Sequence, residues 1–157
     1  TFDEVTKGKI DMTTWKVGGH TGANIHLTPA QTVYQNEVVQ PNPGTTSNGE
    51  TEYSAKFGLM YVSDYGFAAA PSAWTTKLGF YNGEAIKNVN WMYMGLDEWT
   101  ISRYAYLSNS AHFVRDDGSL SSCGVTTELG VRPVFYLTSS VNYVSGSGEA
   151  TNPITIN

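Results

Sequence analysis

Apolar and polar residues alternate most regularly over residues 53–61, where Tyr53, Ala55, Phe57, Leu59 and Tyr61 are separated by Ser54, Lys56, Gly58 and Met60. A period of two puts successive side chains on opposite faces of a pleated strand, so this stretch predicts a half-buried strand. A shorter strand is expected over Thr14-Trp-Lys-Val17, ended by a turn at Gly18-Gly19. Thr28-Pro29-Ala-Gln31 has the form of a capping box with proline preset at the first helical position. It predicts a small helix with Val33, Tyr34 and Val38 on its inward face. Ser63-Asp64 supplies two capping side chains ahead of a short helix or turn over 65–70, which Pro71 stops. Residues 72–90 read as irregular, anchored by Trp74, Phe80 and Tyr81.

The last third of the chain is strand-like. A strand opened by Trp99 is followed by a hairpin at Asp116-Asp117-Gly118, where glycine can take the left-handed position that a bulged turn needs. His112 and Val114 then face opposite to Phe113 and Arg115. Val131-Arg-Pro-Val-Phe-Tyr-Leu137 predicts a buried apolar strand in which Pro133, lacking an N–H, sits at an edge or bulge. Ile154 and Ile156 alternate with Thr155 and predict a closing strand that pins the C-terminus into a sheet. Residues 41–52 hold Pro, Gly, Asn, Ser and Thr without periodic apolar positions, which predicts a mobile surface loop.

Composition narrows the function. The 157 residues suit one domain, and 14 acidic against 9 basic residues give a net charge of −5. That balance disfavours nucleic acid, whose phosphates need a concentrated basic surface, and acidic membrane surfaces alike. No apolar run approaches the roughly 18 residues of a membrane span, so direct membrane insertion by this segment is not expected. Cys123 is the only cysteine, so neither an intrachain disulfide nor a thiolate metal cluster is expected.

No motif points to catalysis, and no cofactor or metal is expected. The adjacent acidic pairs Asp97-Glu98 and Asp116-Asp117 fall short of the six to eight oxygens a calcium loop assembles, and they read as a rim charge and a solvated turn. His20, His26 and His112 lack i,i+4 pairing or a cysteine partner and read as surface or half-buried histidines. A Gly-x-Ser-x-Gly elbow is missing, and Cys123, between Ser122 and Gly124, reads as an inert small residue. The remaining candidate chemistry is an aromatic and polar cluster, in which rings stack on apolar patches while polar neighbours fix orientation. Its expected ligand-binding residues are Asp97, Glu98, Arg103, Tyr104, Tyr106 and Asn109. Trp91 and Trp99 read as core or sheet-end anchors.

Several blocks carry a resemblance. Lys56-Phe-Gly-Leu-Met-Tyr-Val-Ser-Asp-Tyr-Gly-Phe-Ala68, Asn90-Trp-Met-Tyr93, Glu98-Trp-Thr-Ile-Ser102, Gly130-Val-Arg-Pro-Val134, and Ser145-Gly-Ser-Gly148 before Asn152-Pro153 follow one pattern. It resembles an uncharacterised domain family of bacterial surface proteins, mostly of Gram-positive gut organisms, in which the domain often follows a prepilin-like helix. The Trp-Thr-x-Ser, hairpin and Gly-x-Arg-Pro order further resembles the C-type-lectin-like fold of formylglycine-generating enzymes. The resemblance implies an α+β fold with a twisted, mostly antiparallel sheet and one or two short helices. It also implies a single extracellular domain over 1–157 with its family-like core at 53–157.

The function implied is a non-catalytic adhesin on a bacterial surface or pilus, contacting a host or neighbouring-cell glycan or protein through loops around 97–109. The alternative is the globular head of a pilin-like subunit, packing on other pilus subunits. Two departures stand out. Some relatives carry cysteines around the stretch matching 73–88, and none is present here. The formylglycine-generating enzymes use a redox-active cysteine pair that Cys123 alone cannot reproduce, so their activity does not carry over.

Overall fold

Short elements joined by tight turns build the chain. The structure is a computed structural model and describes residues 3–20, 25–44 and 50–157. In chain order the elements are α1 (Glu4–Gly8), β1 (Thr13–Lys16), β2 (Gly19–His20), α2 (Ala30–Tyr34), β3 (Glu52–Ala55), β4 (Gly58–Leu59), α3 (Val62–Phe67) and α4 (Glu84–Lys87). Then come β5 (Glu98–Tyr104), β6 (Ser110–Val114), β7 (Leu120–Gly124), β8 (Pro133–Val134), β9 (Tyr143–Ser145) and β10 (Thr155–Ile156). The main sheet has the order β2-β5-β6-β7, and three two-stranded ribbons pair β1 with β3, β4 with β8 and β9 with β10. Only the β2–β5 pairing is parallel among these. The architecture is therefore mixed α+β, mostly antiparallel, with few and short helices.

The hairpin forms where its turn chemistry puts it. Gly118 has φ +91°, a left-handed conformation that suits glycine, and its carbonyl accepts the Tyr65 hydroxyl at 2.8 Å. That bond ties the β6–β7 turn to α3. Tyr81 likewise donates from the interior, to the Gly66 and Ala73 carbonyls at 2.9 and 3.1 Å. The core gathers around α3, with Ile25, Val33, Met60, Val62, Tyr65, Leu78, Tyr81 and Met92 among its buried members. At Gly66 the approach of α2 is close: a Cβ there would lie 2.5 Å from that of Ala30.

Elsewhere the structure corrects the sequence-based expectations. The strand over 53–61 breaks after Ala55, whose carbonyl accepts the Trp15 indole N–H at 3.0 Å, and the chain then changes partner from β1 to β8. The inward phase is lost with that change: Tyr53 is exposed and Met60 is buried. α2 starts after an extended Pro29, because the Thr28 hydroxyl faces His20 Nε2 at 3.2 Å instead of capping the helix. It continues into a π-helical turn over Gln35–Val39 that brings Glu37 into the interior, while Tyr34 is exposed and Val38 half-buried. α3 begins at Val62, three residues earlier than expected, with Asp64 Oδ2 accepting the Tyr61 N–H at 2.9 Å.

Of the expected anchors of the irregular segment, Tyr81 is buried but Phe80 and Trp74 are exposed. All three of His112, Phe113 and Val114 are buried, so β6 is covered on both faces. His112 and His20 are interior residues, not surface or half-buried ones, and only His26 is exposed. The stretch 131–137 is not a buried strand. Pro133 and Val134 form one side of a two-stranded ribbon, Leu137 makes a single bridge to Ile10, and Val131, Phe135, Tyr136 and Leu137 are exposed. The closing strand forms and pairs with β9 in a two-stranded ribbon, with Ile154 and Ile156 exposed. Within the expected loop at 41–52, residues 45–49 lie outside the described residues.

Candidate functional site

A cleft of about 560 Å³ opens between α3, the turn at 90–92 and the start of β8. Its lining is built by three devices. The first is Asn90, which is buried, donates from Nδ2 to the Tyr65 carbonyl at 2.9 Å and accepts the Met92 N–H at 3.0 Å. This clamp fixes the turn to α3, so that Met92 points into the core and Trp91 stands out with 77% of its surface exposed.

The second device is a pair of backbone bonds. Trp99 N–H donates to the Gly130 carbonyl and Gly130 N–H to the Asp97 carbonyl, both at 2.9 Å. They hold the chain beside the start of β5 and send Arg132 across the cleft floor. There Arg132 Nη2 donates to Glu98 Oε2 at 2.7 Å and to the Met92 carbonyl at 2.9 Å. Glu98 is buried and Arg132 half-buried, so the pair is shielded on the carboxylate side. The third device is aromatic packing at the flanks. Phe67 meets Trp74 edge-on at 5.2 Å, and Phe135 meets Phe57 edge-on at 5.8 Å.

The residues expected to bind ligand do not come together. β5 runs seven residues, about 20 Å at ~3.3 Å per residue. It puts Asp97 and Glu98 at one end and Arg103, Tyr104, Tyr106 and Asn109 at the other. Asp97 Oδ1 accepts the Asp116 N–H at 2.8 Å and so braces the hairpin end. Asp117 Oδ1 similarly accepts from the Ser119 N–H and hydroxyl, at 2.8 and 2.6 Å. Glu98 lies below the cleft as the partner of Arg132.

At the far end, Arg103 Nη2 donates to the Pro43 and Glu50 carbonyls at 2.8 and 3.3 Å, holding the flanks of the 41–52 loop. Tyr104 packs edge-on against His112 and Tyr106, at 5.5 and 6.1 Å. Tyr106 and Asn109 are exposed, with the Asn109 carbonyl accepting the Val125 N–H at 2.9 Å. Among the described residues, no three histidine, cysteine or carboxylate side chains converge as metal ligands.

The chain matches no family model, no curated protein and no solved structure.

Burial displaces the titrations of several interior groups, Glu37 and His112 among them. Burial pushes the Glu37 carboxyl up to about 7, against hydrogen bonds from Ser102 and Ser63 that pull it down. Burial likewise holds the His112 imidazole down at about 4. Neither residue lines the cleft.

Trp91, Arg132 and Phe135 line the cleft, whereas the sequence reading made Trp91 a core or sheet-end anchor and put Phe135 in a buried strand. A local signal existed in both places. Asn90 is a residue suited to bracing a tight turn beside Trp91, and Arg132 is the one charge inside an otherwise apolar seven-residue run.

Proposed function

We propose that this chain is a non-catalytic binding module, displayed on a bacterial surface or pilus in a C-type-lectin-like frame, that takes its ligand in the cleft beside Trp91. One observation carries the reading: Trp91 is 77% exposed although both its neighbours, Asn90 and Met92, are buried. Leaving a whole indole in water next to a concavity costs stability that burial would recover, and large rings in such positions dominate binding surfaces. The cleft volume falls within the roughly 300–1,000 Å³ of small-ligand sites. The surface location and the lectin-like frame rest on the Trp99-Thr-Ile-Ser102, hairpin and Gly130-Val-Arg-Pro133 resemblance.

Binding on glycan and peptide arrays, compared between the natural chain and Trp91→Ala, tests the reading. Truncation of a ring at the centre of a site is expected to weaken binding on the order of tenfold or more. Ligands held equally by both proteins would overturn it.

A second reading, the head of a filament subunit, is favoured by the exposed apolar residues Val131, Tyr136, Leu137, Tyr143, Val144 and Ile154. Concentration-dependent self-association in sedimentation would support that reading, and a monomer at high concentration would remove it.

A further inference from the structure

The polarity of the cleft narrows its ligand. Met60, Phe67, Trp91, Met92, Val134 and Phe135 present apolar surface, and among the described residues the only charged side chains lining it are Asp64 and Arg132. Arg132 is already neutralised by Glu98 at 2.7 Å. Two carboxylates against one guanidinium leave one uncompensated negative charge, that of the exposed Asp64. A sugar needs several directed hydrogen bonds around its ring, and this lining supplies few. A methylene stem ending in a cation fits better: the stem lies along the methionine and phenylalanine surfaces while the charge sits between the Trp91 ring and Asp64.

A second hollow adjoins the first. Phe57, Gly58, Leu59, Ile101 and Val131 line it without a charged group, and Pro133 borders both. An extended peptide projects alternate side chains to one side about 7 Å apart, so one segment can fill two neighbouring hollows. Building on the cleft reading above, we infer that the ligand is an extended protein segment in which a lysine or arginine lies two positions from an apolar residue. The basic side chain enters beside Trp91 and Asp64, and the apolar one enters beside Ile101 and Val131.

The test uses an array of blocked nonapeptides alternating leucine with lysine, the same peptides with glutamate or norleucine replacing lysine, and a glycan array probed in parallel. Lysine peptides are expected to bind at least tenfold better than glutamate peptides, with the margin shrinking as salt rises. Asp64→Asn is expected to bring lysine and norleucine peptides within about twofold of each other. That ratio is independent of the fraction of variant that folds. Equal binding of glutamate or norleucine peptides to the natural chain would overturn the inference. Trp91-dependent capture of glycans without peptides would overturn it too, while leaving the cleft as a binding site. Absence of Trp91-dependent binding on both arrays would remove the cleft reading as well.

Discussion

Two buried carboxylates meet β5, and they differ in what surrounds them. Glu37 is wholly enclosed: Ser102 Oγ bonds its Oε1, and the Ser63 N–H donates to its Oε2 at 3.1 Å. Ser102 Oγ also accepts the Val62 N–H at 2.9 Å, so this group joins the π-helical turn, α3 and β5 without any cation. Glu98, 5% exposed, instead faces Arg132 across 2.7 Å and lies beneath an open cleft. A strongly shifted acid is a usual pointer to a functional site, yet here Glu37 lines neither hollow. The comparison separates burial that joins elements from burial that supports a surface. In this molecule the acid with the largest displacement lies away from the cleft, while Asp64, which lines it, is raised by burial, and Glu98 supports it through Arg132.

The largest effect is expected from breaking the pair on the cleft side. Arg132→Ala leaves Glu98 buried without a counter-charge and should cost about 3 kcal/mol, read as a lower urea midpoint. Replacing both partners, Arg132→Leu with Glu98→Leu, should recover most of that loss, because no isolated charge then remains. Comparable loss in the double variant would show that the pair holds the floor by shape and not by charge.

Glu37 should respond to pH rather than to loss of a partner. Its folded pKa, about 7 against an ordinary 4.5, means the folded state holds the proton more tightly. The stability it contributes is therefore full below pH 4.5 and declines as pH rises towards 7. His112 runs the other way. Its folded pKa of about 4 against 6.5 gives stability that is full above pH 6.5 and is lost as pH falls towards 4. At ~1.4 kcal/mol per pH unit for each proton, the two slopes oppose each other between pH 4.5 and 6.5. The natural chain should show a nearly flat contribution from this pair. Glu37→Gln keeps the shape, removes the acid slope and should uncover a rise of about 3 kcal/mol from pH 4.5 to 6.5. Urea midpoints across that range test it, and an unchanged profile would show that folding does not raise the Glu37 pKa.

The same two regions show what the sequence made legible. Turn chemistry carried well: Asp116-Asp117-Gly118 forms the hairpin, and Gly118 takes the left-handed conformation. The α+β class was readable for the same reason, since short strands between turn residues leave few alternatives. Periodicity misled where the partner strand changes. Residues 53–61 alternate cleanly, but the chain leaves β1 for β8 at the midpoint, and no local pattern records that exchange. Glu37 was invisible because a charged residue in a polar helix turn looks solvated, and only the π-helical turn directs it inward. Trp91 and the 131–137 run were assigned to the core because large apolar residues usually are. Hydrophobicity reports the gain from burial, and a surface built to meet something else carries the same signature.

A smaller loss is expected at the contact that seats Glu37. Gly66→Ala would bring a methyl group within 2.5 Å of the Ala30 Cβ and 3.0 Å of Leu78 Cδ2. Overpacking of about 1–3 kcal/mol is partly offset by the gain of ~1 kcal/mol for alanine over glycine in a helix. The net cost should be about 1 kcal/mol, read as a lower melting temperature. A neutral or stabilising result would show that α2 shifts freely, and would loosen the link between the π-helical turn and Ser63.

The smallest effect is expected at the most prominent side chain of the cleft. Trp91 has 77% of its surface in water, so Trp91→Ala removes few intramolecular contacts and leaves no enclosed cavity. Exposed substitutions of this kind stay within about 0.5 kcal/mol, and the urea midpoint of Trp91→Ala should match that of the natural chain. That result is the one expected of a ring that serves a ligand and not the fold, in contrast to Glu37, which is enclosed and hydrogen-bonded at both carboxylate oxygens. A loss above about 1 kcal/mol would place Trp91 among the packed anchors, and the cleft would then be a gap beside the core instead of a surface made for a ligand.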